Sequence, residues 1–538
     1  MQEQPEETEI KLAVDPVQFA TLTAHPDFRD LLKEPSATQK LISIYFDTAD
    51  LDLHQRGLTL RVRRTGDQWV QTVKYANGSV FDRAEWENPI LADRPELDAV
   101  SDDALPPDLR DRIRPSLKPV FETRIERAIY RLHGDGWDVE LACDRGEVVS
   151  PHGSSPVSEI EIELKDGDRG ALFDLARAIA NAIPARLSVK TKSARGYDLL
   201  NGMHPEPAKS SELVLRPGLT NAQAFQTIAR ACLHQIVENE EAVVLRSDPV
   251  ALHQMRIGLR RLRSAISLFK DIVSDSKVEE TKAELRWLGG ELAEARDLDV
   301  FIAEVLTPLR QQHPHHQGLA SLRHTVQRRR RQAYRRVQEA LRSERFRKLP
   351  LETAAWIETG PWLKTEDALI RVHRDWPAEI QAAEQLSRRR KKIKKKAKVL
   401  DQLDPASRHK LRIQVKKTRY AAEFFGGLFR QKKAARRSEK LLRALRGMQT
   451  ALGGLNDVAH RKELCTDLVS SRRGEHAKEA TQSRVFAAGL ISGDQDARTH
   501  QLLDDAIKAY VRFADVKPFW KLKEMLPPQE RSDEPDLA

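Results

Sequence analysis

Glu7, Glu9 and Lys11 stand at every second position of the segment Glu7-Thr8-Glu9-Ile10-Lys11-Leu12. Successive side chains of a β-strand point to opposite faces, so these three share one face while Ile10 and Leu12 take the other. The pattern returns in Glu159-Ile160-Glu161-Ile162-Glu163-Leu164-Lys165 and in Arg83-Ala84-Glu85-Trp86-Glu87. It returns with bases in Leu60-Arg61-Val62-Arg63, and Glu140, Ala142 and Asp144 also fall on one face. An antiparallel sheet with one solvated face would carry such charges for solubility alone. Here, however, carboxylates gather on some strands and Arg or Lys on others, and carboxylates in a row repel unless cations lie between them. A closed barrel with its charged face inward resolves that conflict. Its carboxylates would hold hard divalent metal ions, and the opposing bases would hold phosphate oxygens.

The elements that must position these residues are short strands. Period-2 segments recur at 7–14, 41–47, 58–63, 69–75, 83–87, 120–131, 137–143 and 157–164, with turn signals at Asn77-Gly78 and Gly134-Asp135-Gly136. Residues 171–182 read as a helix, and Lys190 to Tyr197 as a further strand. The segment 202–218 reads as a linker. From Asn221 onward the apolar spacing is helical almost throughout. The polar tail after Leu526 has the composition of a disordered segment.

The second half repeats itself. His253, Arg256, Arg260 and Arg263 lie at spacings of 3, 4 and 3, which makes one stripe on a helix. His409, Arg412, Lys416 and Arg419 repeat the stripe 156 residues later, and each copy runs on to a phenylalanine, Phe269 and Phe425. Leu292 to Asp297 is echoed by Leu452 to Asp457. Four like charges in a row destabilise a helix unless an anion lies along them. Two related helical bundles facing each other are expected, with Asp297 and Asp457 orienting the cations. Arg388 to Lys398 is a separate low-complexity basic run, expected on the surface.

Charge divides the same way. Residues 1–210 carry 27 Lys+Arg against 37 Asp+Glu, and the remaining chain carries 63 against 43. An acidic half and a strongly basic half have different electrostatic tasks. No apolar run reaches the roughly 18 residues that a transmembrane helix needs. The opening residues lack the basic start and apolar stretch of a secretory signal. Cys143, Cys232 and Cys465 lie far apart with no metal or disulfide spacing. A cytoplasmic protein is expected. No Gly-x-x-x-x-Gly-Lys-Ser/Thr loop is present, so a P-loop enzyme is excluded.

Glu7-x-Glu9-x-Lys11, followed in order by Tyr45-Phe46-Asp47-Thr48, Arg61-x-Arg63, Arg83-x-Glu85-x-Glu87, Glu140 to Gly146 and Glu161-x-Glu163, resembles the CYTH or triphosphate tunnel metalloenzyme family. The resemblance spans residues 5–200. It implies an eight-stranded antiparallel tunnel that binds triphosphate with magnesium or manganese. By that resemblance Glu7, Glu9, Glu161 and Glu163 are metal carboxylates, and which two of Glu159, Glu161 and Glu163 bind metal stays open. Glu7, Glu9, Lys11, Glu85 and Glu87 would serve catalysis. Lys11, Arg61, Arg63, Lys74, Arg124, Lys190, Lys192 and Arg195 would clamp phosphate. Glu122 departs from the pattern, standing where a base is expected beside Arg124.

The repeated helices, about residues 217–515, resemble the CHAD domain, which is often fused behind a CYTH barrel. This implies a pseudo-two-fold helical domain whose basic groove binds inorganic polyphosphate through His253, Arg256, Arg260, Arg263, His409, Arg412, Lys416 and Arg419.

The expectation is thus an α+β two-domain chain: an N-terminal eight-stranded antiparallel β tunnel with flanking helices in 1–203, a linker at 204–216, an all-α pseudo-two-fold bundle domain in 217–515, and a tail at 516–538. The expected activity is metal-dependent hydrolysis of tripolyphosphate to diphosphate and phosphate, with association with polyphosphate granules. A thiamine-triphosphatase or adenylate-cyclase-type CYTH enzyme is the alternative within the enzymes. A non-catalytic polyphosphate- or nucleic-acid-binding protein is the alternative outside them. The cation stripes lack an aromatic base-stacking platform, which favours inorganic polyanions over nucleic acid.

Overall fold

A computed structural model describes residues 6–66, 68–75, 82–202, 205, 207–209, 213–470, 489 and 499–520. Side chains are described for the same residues except 6, 7, 65, 82–84, 456 and 458–470.

The first part of the chain forms one antiparallel sheet from strands β1 (Glu6–Ala13), β2 (Ala37–Asp47), β3 (Leu58–Thr65), β4 (Gln68–Tyr75), β5 (Asp82–Ile90), β6 (Lys118–Gly134), β7 (Trp137–Ser150), β8 (Gly153–Gly167) and the two-residue β9 (Arg186–Leu187). The order is β5-β4-β3-β2-β6-β7-β8-β1-β9, and β1 pairs with β5 as well. That added pairing, Glu6 opposite Ala84 through Thr8 opposite Asp82, closes eight strands into a ring. At the far end of β1, Leu12 and Ala13 pair instead with β9, so the sheet has nine strands where eight were expected.

Directly opposed residues of an antiparallel pair share a face. Following the register around the ring therefore fixes what points inward. Glu9 lies opposite Glu163 and Lys11 opposite Glu161. Glu163 lies opposite Glu140, and Glu159 opposite Asp144. Asp144 lies opposite Arg127, and across the ring Arg61 faces Thr72 while Lys74 faces Glu85. The other face is apolar. Ile10, Leu12, Ile160 and Ile162 are fully buried, and the helix Gly170–Ala182 packs on β1 and β8 with its Leu172, Phe173, Ala176 and Ile179 stripe. Part of the inward face is apolar too: Leu41, Tyr45, Phe121, Ile125, Val148 and Val157 cluster with Tyr197 and Leu199.

Those last two residues belong to a helix, Lys192–Leu200, in place of the strand expected at Lys190 to Tyr197. Thr191 explains the difference. Its hydroxyl accepts from the backbone N–H of Ala194 and starts the helix as an N-cap.

From Asn221 on the described elements are helical. The chain divides into two compact units. The first comprises Met1–Ser211 with Arg230–Gly258 and Ala340–Gly360. The second comprises Glu212–Ala229, Leu259–Glu339 and Pro361–Ala538. In the first, the helix Glu344–Thr359 packs on Gly170–Ala182 and β9, and Arg177 forks onto the Glu352 carboxylate at 2.9 and 3.1 Å. No described helix is long and apolar enough to cross a membrane.

Candidate functional site

Inside the ring lies a cavity of about 770 Å³ lined by Glu9, Lys11, Arg61, Arg63, Lys74, Glu85, Glu87, Arg127, Glu161, Glu163 and Lys192, together with Tyr45 and Tyr75. Most of the residues singled out in the sequence are thus brought together. The side chain of Glu7 lies outside the described residues. Its backbone continues the inward phase of β1 opposite Arg83.

Three carboxylates, Asp144, Glu159 and Glu161, come within 4.8 Å of one another on this wall. Three cations meet them. Lys192 Nζ lies 2.6 Å from Asp144, 2.5 Å from Glu159 and 2.9 Å from Glu161. Lys11 Nζ lies 2.7 Å from Glu161 and 3.8 Å from Glu9. Arg127 donates two parallel 2.7 Å bonds to Asp144 and a further one to Glu161. Lys11 is only 6% exposed. Burial alone would push its ammonium pKa down, but Glu161, Glu9 and Glu159 override that and raise it. Burial likewise works against the Glu161 carboxylate, and Lys11, Lys192 and Arg127 hold it well below the usual range. Three carboxylates thus face three cations across this wall.

The opposite wall is differently arranged. Lys74 lies 2.6 Å from Glu85. Arg61 donates to Thr72 Oγ1 at 3.0 Å and stands 3.6 and 3.5 Å from Glu85 and Glu87. Arg63 donates to Ser43 Oγ at 2.9 Å. Burial, with Arg61 beside it, pushes the Arg63 pKa down to about 10.

Glu9 and Glu163 are cross-strand partners facing the cavity. Among the described residues the lining offers carboxylate and hydroxyl oxygens but no His or Cys, a donor set suited to a hard cation such as magnesium or manganese. The chain's own cations sit against the Asp144, Glu159 and Glu161 trio, while Glu159 Oε2 is buried without a hydrogen-bond partner among the described residues. Glu9 and Glu163 face the same cavity, each with a lysine beside it: Lys11 at 3.8 Å from Glu9 and Lys165 at 2.6 Å from Glu163.

Three expected clamp residues stand elsewhere. Arg124 does not enter the tunnel. It pairs across to Glu147 on the face opposite Arg127, is 57% exposed, and its guanidinium is taken by Glu122 at 2.5 Å. Residues three apart on a strand point to opposite faces, which is the physical reason. Lys190 is held by Asp198 and Glu241, both at 2.6 Å, and Arg195, like Lys190, does not line the cavity. Arg127 is the cavity residue that the sequence reading missed, and Asp144, placed there on the charged face, was given no role. Hairpin arithmetic carried the signal: a turn that pairs Gly134 with Trp137 must also pair Arg127 with Asp144.

In the helical region both stripes lie on single helices, Pro249–Leu268 and Pro405–Phe425. His253, Arg256, Arg260, Arg412 and Lys416 are half-buried, and Arg263 and His409 are exposed. Arg419 is spoken for by Glu423 at 2.5 Å and Gln449 at 2.8 Å. Arg412 stands 3.9 Å from Asp457, the acidic partner expected for it. The basic run is largely exposed, as expected: Arg388, Lys391, Lys392, Lys395, Lys396 and Lys398 face solvent, while Arg389, Arg390 and Lys394 are half-buried. It lies on the helix Ala378–Ala397, where Ile393 and Ala397 are buried. Its Arg389 comes near enough to Lys417 that burial, then Arg389 and Arg263, lower the lysine pKa.

Residues 5–197 match the CYTH domain model and residues 227–466 the CHAD domain model. An inorganic triphosphatase from Haemophilus influenzae is 26% identical over 196 residues, 36% of this chain and 54% of that protein, so the matched stretch spans about half the relative's length. An uncharacterised Mycobacterium tuberculosis protein is 26% identical over 534 residues, 90% of this chain and 93% of its own. The crystal structure of the CHAD domain from the plant Ricinus communis is 32% identical, covers 58% of this chain and 98% of its own, and superposes with a TM-score of 0.49. The chain therefore belongs to the proteins that join a CYTH domain, here residues 5–197, to a CHAD domain, here residues 227–466.

Proposed function

We propose that the CYTH domain is a metal-dependent inorganic triphosphatase hydrolysing tripolyphosphate to diphosphate and phosphate, and that the CHAD domain binds inorganic polyphosphate. Arg63 carries the first reading. It faces the cavity with no carboxylate at ion-pair distance among the described residues. A buried charge without a counter-ion is costly, and an anion entering beside it relieves that cost. The likeness to the Haemophilus inorganic triphosphatase supports the same substrate class.

Arg61, Arg63 and Lys74 on one wall, and Arg127, Lys11 and Lys192 on the other, neutralise a linear chain of phosphates. Glu7, Glu9, Glu161 and Glu163 would hold the metal, which would compete there with the lysines now paired to Glu9, Glu161 and Glu163. When bound, the ion supplies charge neutralisation at phosphoryl oxygens and a lowered pKa for water. Glu85 and Glu87 would orient the attacking water, each steadied by a neighbour: Lys74 on Glu85, and the Thr72 hydroxyl on Glu87 at 3.0 Å. Positioning and charge stabilisation are most of what phosphoryl transfer needs.

The test is phosphate release from tripolyphosphate, ATP, thiamine triphosphate and long-chain polyphosphate, with Mg2+, Mn2+ or EDTA. Tripolyphosphate turns over fastest and only with metal. Release that survives EDTA overturns the metal role, and faster release from ATP or thiamine triphosphate moves the substrate to those compounds.

A further inference from the structure

The helix Lys192–Leu200 delivers Lys192 to the charged wall while its other turns sit in the apolar part of the ring. Two contacts fix its place. At Gly196 a Cβ would fall 2.2 Å from the Phe121 ring, so the backbone passes where no larger residue fits. One residue on, the Tyr197 hydroxyl donates to Asp47 Oδ2 at 3.0 Å.

Asp47 is fully buried and has no Lys or Arg partner among the described residues. Its carboxylate accepts instead from the backbone N–H of Thr48 at 2.7 Å and of Leu53 and His54 at 3.0 Å. Among the described residues Tyr197 is the one side chain that hydrogen-bonds this carboxylate. Burial and the Asp47 charge push the phenol pKa up, so it stays a donor. Stacking reinforces the join. His54 lies on the Tyr197 ring at 3.8 Å, Phe121 meets its edge at 5.1 Å, and Phe121 stacks on Tyr45, which lines the cavity.

We propose that Tyr197 is a positioning residue for the triphosphate site: its bond to Asp47 sets the helix so that Lys192 Nζ stands among Asp144, Glu159 and Glu161 on the cavity wall. The inference rests on the triphosphate reading above. One residue of helix rise is 1.5 Å, so a slip of a single residue breaks contacts of 2.5 to 2.9 Å.

The experiment uses the full chain and reads equilibrium binding of tripolyphosphate in EDTA by calorimetry, alongside metal-dependent phosphate release. Tyr197→Phe removes one hydrogen bond and raises Kd and KM about three- to tenfold with kcat little changed. Lys192→Gln raises Kd at least as much. The double variant is no worse than Lys192→Gln alone, because both act through one ammonium. A Tyr197→Phe chain that melts earlier but binds as tightly as the parent overturns the proposal, as does a double variant whose loss is the sum of the two. A parent chain that binds tripolyphosphate without cleaving it sinks the catalytic reading alone, and the Kd comparison still decides on Tyr197. A parent chain that does not bind it sinks both.

Discussion

Phe269 and Phe425 occupy equivalent positions in the two helical repeats and pack against each other, ring centroids 5.8 Å apart at 66°. Both are fully buried. A residue that meets its own counterpart lies near the axis relating two copies, as in an isologous dimer interface. Phe269→Ala is expected to cost about 3–5 kcal/mol, and the double variant less than twice that, because the second truncation enlarges one shared cavity. Denaturant unfolding of the three variants measures this. Additive losses would mean the two rings stabilise separate cores.

Arg127 and Arg124 separate the inside of the ring from the outside. Arg127 is 17% exposed and bridges Asp144 to Glu161, whereas Arg124 faces away with Glu122. Arg127→Met should lower kcat/KM for tripolyphosphate by about 10²-fold or more, and should destabilise by roughly 3–5 kcal/mol by stranding buried carboxylates. Arg124→Met should change stability by no more than about 0.5 kcal/mol and leave kcat/KM nearly unaltered. Equal kinetic losses would return Arg124 to the phosphate clamp.

The sequence announces this sheet because its inward face is charged. Glu7-x-Glu9-x-Lys11 and Glu159-x-Glu161-x-Glu163 set their own phase, since Ile10, Leu12, Ile160 and Ile162 leave no second choice of buried face. Strand β6 gives no such signal. Its tunnel face begins Phe121, Thr123, Ile125 before reaching Arg127, and its outer face carries Glu122, Arg124 and Glu126. The rule that placed charges inward elsewhere therefore selects the wrong face here. The helix at Lys192 was illegible for another reason. Lys192 to Leu200 is only nine residues long, too few to separate a helical from a strand pattern, and the Thr191 cap that starts the helix is a single residue.

Glu9→Ala is expected to abolish metal-dependent phosphate release while leaving polyphosphate binding intact, because Glu9 faces the cavity beside Glu163 and has no role in the helical stripes. Release assays with Mg2+ and Mn2+ and a polyphosphate gel-shift on the same preparation read the two functions separately. Activity that survives removes Glu9 from the metal site.

Glu240 gives the first unit a pH dependence near neutrality. Burial, only partly offset by Arg186 at 2.9 Å, raises its carboxyl pKa from 4.5 to about 7. A carboxyl whose folded pKa exceeds its unfolded value costs stability above the folded pKa. That cost is relieved as pH falls through about 7 and is gone below about 4.5. Glu161 runs the other way. Its depressed folded pKa contributes stability that is complete above its unfolded value and is lost only as pH falls through the folded one, well into acid. Between pH 8 and 5 the Glu240 effect should dominate, raising stability by about 2–3 kcal/mol. Thermal melts of the parent and of Glu240→Gln across that range test it. A parent melting temperature as flat as the variant's would refute the assignment.

The cation stripes should contribute unequally to polyphosphate binding. Arg419 is already engaged by Glu423 and Gln449, so an incoming phosphate must displace both. Among the described residues the Nε of Arg412 has no hydrogen-bond partner, and Asp457 stands 3.9 Å from its guanidinium. Arg412 can therefore turn to phosphate at little cost. Replacing Arg412 and Lys416 together by Ala should weaken binding of long-chain polyphosphate and flatten the log–log salt dependence by about one unit per cation lost. His253→Ala with Arg256→Ala in the first repeat should do the same. Arg419→Ala should move the salt slope by less than any of these, because a charge already neutralised by Glu423 releases few counter-ions on binding. If Arg419→Ala flattens the slope by a full unit, as much per cation as the Arg412 and Lys416 pair, its internal ion pair opens at no cost, and the stripe acts as equivalent cations.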